Sequence, residues 1–229
     1  MTHKATYNSV DSLLKIMQAL RAPDGCPWDL EQTPTSLAPY ILEEACELID
    51  AIEAGTTEHI LDELGDLLLQ VVFLAQIFSE RKQFNFDDVA AGIADKLLRR
   101  HPHVFNRDQM GDILPELDKQ WDDIKRSETT HNKTCMNDHL PSNLPALQRS
   151  QKLVSRACRF GRQEELPASD FDLLRRIDRT SDDNKITLDE NSLGQALFYL
   201  VRIAHDANLD AESALRKTTR KAISDLDAK

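Results

Sequence analysis

Five carboxylates in this chain are spaced for joint chemistry: Glu43, Glu44 and Glu47 in the segment ILEEACELID, then Glu63 and Asp66 in LDELGDLLLQ. They stand symmetrically about Gly55, with Glu47 and Glu63 each eight residues from it and Glu44 and Asp66 each eleven. If both segments are helices that turn back at Gly55, a rise of about 1.5 Å per residue sets each acid level with its mirror partner. Spacings of i, i+3 and i, i+4 keep the acids of each helix on one face. Carboxylates facing one another across a hairpin repel unless a positive group lies between them. An all-oxygen donor set of this kind suits a hard divalent cation, Mg²⁺ or Mn²⁺.

A solvated acidic face is the simpler reading of any ExxE pair, in a chain that is 29% charged. These acids, however, share segments with apolar residues. The run LLLQVVFLAQIF directly after Asp66 is too apolar for a surface helix, so its acids border a core, where a carboxylate needs a partner.

The elements that must position these residues all read as helices. Val10 to Ala22 carries apolar residues near a period of 3.6 and ends at Pro23-Asp24-Gly25. A loop through Cys26-Pro27-Trp28-Asp29 leads to the first acid helix, Leu37 to Ala54, with Gly55 as its C-cap. Thr56 or Thr57 caps the second, Glu58 to Glu80. A fourth helix, Asp87 to Arg100, starts with two acids and ends in a basic turn, in keeping with its dipole, before His101-Pro102-His103 stops it. Amphipathic helices joined by short turns, with no convincing strand, define an all-α helical bundle.

Residues 106–143 read as a connector holding one helix, Leu114 to Glu128, which carries Trp121, Lys119, Lys125 and Arg126. The organisation expected is therefore a first module over 1–105, the connector, and a second module over 144–229. The second resembles an eroded copy of the first. LGQALF at 193–198 parallels LGDLLL at 64–69, and in that register Ser192 replaces Glu63 and Gln195 replaces Asp66. Upstream, Arg175, Arg176 and Arg179 stand where the first copy has acids, and further on Asp225 falls where Arg100 stands. Cations in place of carboxylates leave no metal cage there.

A net charge of -11 argues against nucleic acid or an anionic membrane as partner. The four cysteines, Cys26, Cys46, Cys135 and Cys158, show no ligand-like pairing and read as reduced thiols of a cytoplasmic protein, with Cys46 on the apolar side of its helix. MTHKATYNSV lacks the apolar stretch of a signal peptide, and no run is long enough for a membrane span.

EExxE followed by ExxD across a hairpin, preceded by DGCPWDLEQT and followed by DKLLRRHPHVF, resembles the MazG family of nucleoside triphosphate pyrophosphohydrolases. The resemblance runs from about Leu13 through Lys125 and rests on several motifs in order. It implies an all-α, Mg²⁺-dependent enzyme, dimeric or larger, of the two-copy type with its second copy degenerate. It implies metal ligation by Glu44, Glu47, Glu63 and Asp66, and triphosphate or nucleotide contacts from Lys96, Arg100, Trp121 and Lys125. Lys96 and Arg100, four apart, can grip one polyphosphate, and Trp121 offers a base either a stacking face or simply a core-packed neighbour. Glu43, left over beside the metals, is the candidate to position or deprotonate the attacking water.

His101 and His103 read as capping or phosphate-contacting residues rather than metal ligands. Cys26 has no base nearby in sequence, and Trp28 reads as an anchor of its loop against the bundle. The function expected is hydrolysis between the α and β phosphates at the first site alone. The alternative is a nucleotide-sensing or interaction subunit that has lost turnover.

Overall fold

Helix boundaries here follow side chains that satisfy the backbone groups a helix end leaves open. The computed structural model describes residues 9–106, 140–167 and 189–227, and among them every regular element is helical. The chain divides into two compact units, Met1–Glu128 and Thr129–Lys229.

In the first unit, α1 (Val10–Leu20) starts at Ser9, whose side chain accepts from the Ser12 amide. Gly25 follows closely, its amide donating to the Ala22 carbonyl at 2.7 Å. The segment expected as a loop forms a short helix, α2 (Pro27–Glu31). Pro27 takes the first helical position, where its missing N–H costs nothing.

The long hairpin follows. Helix α3 (Pro34–Ala54) begins three residues earlier than its apolar pattern shows, because Thr33 and Ser36 form a reciprocal capping box and Pro34 occupies the first turn. Pro39 lies inside α3 and removes the donor for the carbonyl of Thr35. The helix ends at Gly55, whose amide donates to Ala51 at 2.7 Å. Glycine is required there: a Cβ would lie 2.2 Å from the Ala51 carbonyl oxygen. Thr56 then caps α4 (Thr57–Glu80) by accepting from the His59 amide.

Helix α4 is the centre of this unit and packs against α3, α1 and α5. Its Val72, Phe73 and Ile77 form the core with Met17 of α1 and Leu37 of α3, backed by Leu13, Leu14, Leu69, Leu74 and Phe86. Each of the five buried side chains stabilises the fold by about 1.5–3 kcal/mol through burial, and the partly buried ones by less. Arg21 locks α1, α2 and α4 together. Its guanidinium, 7% exposed, pairs with Glu80 through two bonds of 2.7 and 2.8 Å. It also donates to the carbonyls of Asp29 and Gln32 and lies 5.5 Å over the Phe73 ring.

Helix α5 (Phe86–Arg100) is capped by Asn85 and Asp88 and buries no residue fully, with Val89, Ile93, Leu97 and Leu98 exposed. His101-Pro102-His103 does not end helical structure outright but opens a one-turn helix, α6 (Pro102–Phe105). Cys46 is exposed, not on the packed side of α3. At 100° per residue the packed stripe is centred on Leu37, Glu44 and Ala51, which turns Cys46 away.

The second unit holds α7 (Ala146–Arg159), a short 3₁₀ turn at Gln163–Glu165, α8 (Glu190–Asp206) and α9 (Ala211–Asp227). Val154, Ala157, Ala196 and Val201 are buried among its described residues. Gln151 ties α7 to the turn before α9, donating to the Leu209 carbonyl at 2.6 Å and accepting from the Ala211 amide at 3.1 Å. The expected helix Leu114 to Glu128 and the cations at 175, 176 and 179 lie outside the described residues.

Candidate metal centre

The hairpin brings three of the five acids to one point. Carboxylate oxygens of Glu44 on α3 and of Glu63 and Asp66 on α4 all lie within 4.8 Å of one another. No other group of three acid, histidine or cysteine side chains among the described residues is so arranged. Antiparallel helices turning at Gly55 place residues at equal distances from the turn side by side, and the electrostatics follow that pairing. Burial first, then the charge of Asp66, pushes the Glu44 carboxyl above its ordinary range, with Glu47, Glu43 and Glu63 adding to it. Burial likewise raises Glu63, followed by the charges of Glu47, Asp66 and Asp62, while His59 opposes them. Glu44 thus feels Asp66 most and Glu63 feels Glu47 most, the two mirror pairs.

These acids fit a hard cation. Ligands about 2.1 Å from Mg²⁺ stand up to about 4.2 Å apart, so oxygens already within 4.8 Å of one another need little movement to share one ion. Oε2 of Glu63 is buried without a hydrogen-bond partner. A buried carboxylate oxygen in that condition is costly unless a cation or donor meets it. Glu47 is not one of the three convergent acids but acts electrostatically on both Glu44 and Glu63. Glu43 is exposed beside them.

The other candidate residues are more scattered. Lys96 is exposed and Arg100 half-buried near the end of α5, and neither is among the strongest influences on Glu44 or Glu63. Trp121 and Lys125 lie outside the described residues. His101 caps α5, its Nδ1 lying 2.7 Å from the Leu97 carbonyl oxygen, and its ring is 5.7 Å from that of His103.

Two features escaped the reading of the sequence. Gln70, 7% exposed, sits four residues after Asp66 on the face of Glu63 and Asp66, and its Oε1 is buried with no partner. The visible signal was a polar residue interrupting an apolar run at helical spacing from two acids. Trp28 is not an anchor packed under the bundle: it is 52% exposed and meets Tyr40 edge-on, with ring centroids 6.3 Å apart. The short helix α2 holds it at the surface.

Fold and site together describe an all-α protein built around a carboxylate-lined helical hairpin. Residues 32–105 match the MazG nucleotide pyrophosphohydrolase domain, which contains that hairpin. A nucleoside triphosphate pyrophosphohydrolase/pyrophosphatase MazG of Thermotoga maritima is 39% identical over 217 residues, covering 93% of this chain and 82% of its own. A nucleoside triphosphate pyrophosphohydrolase of Escherichia coli K12 is 40% identical over 228 residues, covering 93% and 84%. One of Mycobacterium tuberculosis is 39% identical over 137 residues, covering 59% of this chain and 41% of its own. The chain belongs to the MazG nucleotide pyrophosphohydrolase family. No helix among the described residues is long and apolar enough to cross a membrane.

Proposed function

We propose that this chain hydrolyses nucleoside triphosphates between the α and β phosphates, releasing a nucleoside monophosphate and pyrophosphate, at the acid-lined hairpin of its first unit. The observation that carries this is the convergence of Glu44, Glu63 and Asp66 within 4.8 Å, with an unpartnered buried oxygen on Glu63. Glu44, Glu47, Glu63 and Asp66 hold Mg²⁺, with Mn²⁺ as a substitute. When bound, the ion supplies Lewis acidity to the phosphate oxygens and offsets their charge. Glu43 accepts a proton from water as its oxygen bonds to phosphorus and the bond to the α,β-bridging oxygen breaks. Lys96 and Arg100, one turn apart on α5, bind the polyphosphate, and Trp121 and Lys125 complete the nucleotide contacts.

Residues 1–105 form the catalytic module, 106–143 a connector and 144–229 a degenerate second module. Ser192 and Gln195 in the second unit's α8 offer no carboxylate where Glu63 and Asp66 stand in the first. The protein assembles as a homodimer. Supporting this, α5 leaves Val89, Ile93, Leu97 and Leu98 in solvent, an apolar stripe that a second copy would cover. Purified protein given Mg²⁺ and each common triphosphate in turn should release pyrophosphate. Release of orthophosphate alone contradicts the reaction.

A further inference from the structure

The reading above seats the metal and the phosphates, and the inference here rests on it. Trp121, the aromatic residue that the family resemblance puts forward for the base, lies outside the described residues. The described residues hold another aromatic surface beside the acids. Tyr40, Glu44 and Glu47 occupy positions i, i+4 and i+7 of α3, which places them on one stripe of the helix. From Tyr40 to Glu44 the helix rises about 6 Å. Trp28 of α2 leans on Tyr40, the rings 6.3 Å apart at 71°.

Both rings face solvent, Trp28 at 52% and Tyr40 at 39% exposure. A tryptophan whose task is packing hides most of its surface, whereas a fixed, exposed aromatic pair offers a flat apolar face to another ring. The pair is held firmly. Arg21 grips the carbonyls of Asp29 and Gln32 on either side of the end of α2 and is itself pinned by Glu80. The Gln32 side chain donates to the Trp28 carbonyl at 3.1 Å, and the Thr33 and Ser36 capping box sets the start of α3. Rigid support of this kind means that a ring binding here loses little to ordering the protein.

We propose that Trp28 and Tyr40 form the nucleobase platform of this site, with the base stacked on Trp28 and the phosphates directed along α3 toward Glu44 and Glu47. One helical turn separates the aromatic pair from the first acid, which leaves room for a ribose between base and phosphate. Stacking engages the π face that every base has, so this platform accepts purines and pyrimidines alike.

The test compares full-length wild type with Trp28→Ala and Trp28→Phe. It measures KM for ATP, GTP, CTP and UTP, and inhibition by inorganic tripolyphosphate, which has no base. Stacking predicts that Trp28→Ala raises KM for all four by about tenfold, while Trp28→Phe restores most of the loss. The inhibition constant of tripolyphosphate and the Mg²⁺ dependence stay at wild-type values. KM within about twofold of wild type, or a parallel weakening of tripolyphosphate, overturns the platform. Should Trp28→Ala melt early, Trp28→Leu, apolar but without a π face, carries the same comparison. A wild type that releases no pyrophosphate contradicts the activity itself. Calorimetric binding of ATP against tripolyphosphate by the same variants then decides the platform independently.

Discussion

In the proposed metal centre, Glu63 would serve opposite ends in the metal-free and the loaded protein. Its carboxyl is raised by burial and by Glu47 and Asp66, and Glu44 is raised by burial and by Asp66. A carboxylate whose folded pKa exceeds its unfolded value holds extra protons in the folded state, so metal-free stability rises as pH falls through that window. Above the window the ionised acids oppose folding. Two outcomes follow for a thermal melt in chelator: the metal-free protein gains stability on acidification through the carboxylate range, and Glu63→Gln melts later than wild type at neutral pH. On the proposed ligation, protons compete with metal for the same oxygens, so Mg²⁺ affinity measured by calorimetry should fall as pH drops from neutrality toward that range. Affinity independent of pH would remove these acids from the metal site.

The hairpin and the short helix before it are the elements that make the site possible. A methyl at position 55 would meet the Ala51 carbonyl at 2.2 Å, so Gly55→Ala must shift the turn that sets the acids in register. It should cost about 2 kcal/mol in urea unfolding and weaken Mg²⁺ binding together with stability. Arg21→Met removes the clamp on α2 and leaves two carbonyls short of a donor, a loss of about 2 kcal/mol once the partial exposure of Glu80 is allowed for. Arg21 holds the Glu80 carboxyl below its ordinary value of 4.5, so this contribution is present above that pH and fades as pH falls below it. The stability difference between wild type and Glu80→Gln should shrink accordingly in acid. The acid hairpin could be read from sequence because helical spacing and a glycine turn are local properties. Helix α2 could not, since five residues that begin with a proline carry no period, and its place depends on Arg21 and on Glu80, fifty-nine residues further on. The exposure of Trp28 and the burial of Gln70 are tertiary facts for the same reason.

At the scale of the whole molecule, the asymmetry between the two halves is the central claim. A homodimer predicts a sedimentation mass near twice 26.0 kDa, and Ile93→Lys on the exposed stripe of α5 should shift it toward the monomer. A second unit without catalysis predicts that a fragment ending at Asn143 retains pyrophosphate release if it folds. The most direct measurement sets Glu63→Gln against the paired change Ser192→Ala with Gln195→Ala, assaying nucleoside monophosphate and pyrophosphate from an NTP with Mg²⁺. A single working cage predicts that Glu63→Gln loses activity by at least about a hundredfold, while the second-unit variant keeps the wild-type rate and equimolar products. Full activity in Glu63→Gln, or its loss in the second-unit variant with folding intact, would contradict the account.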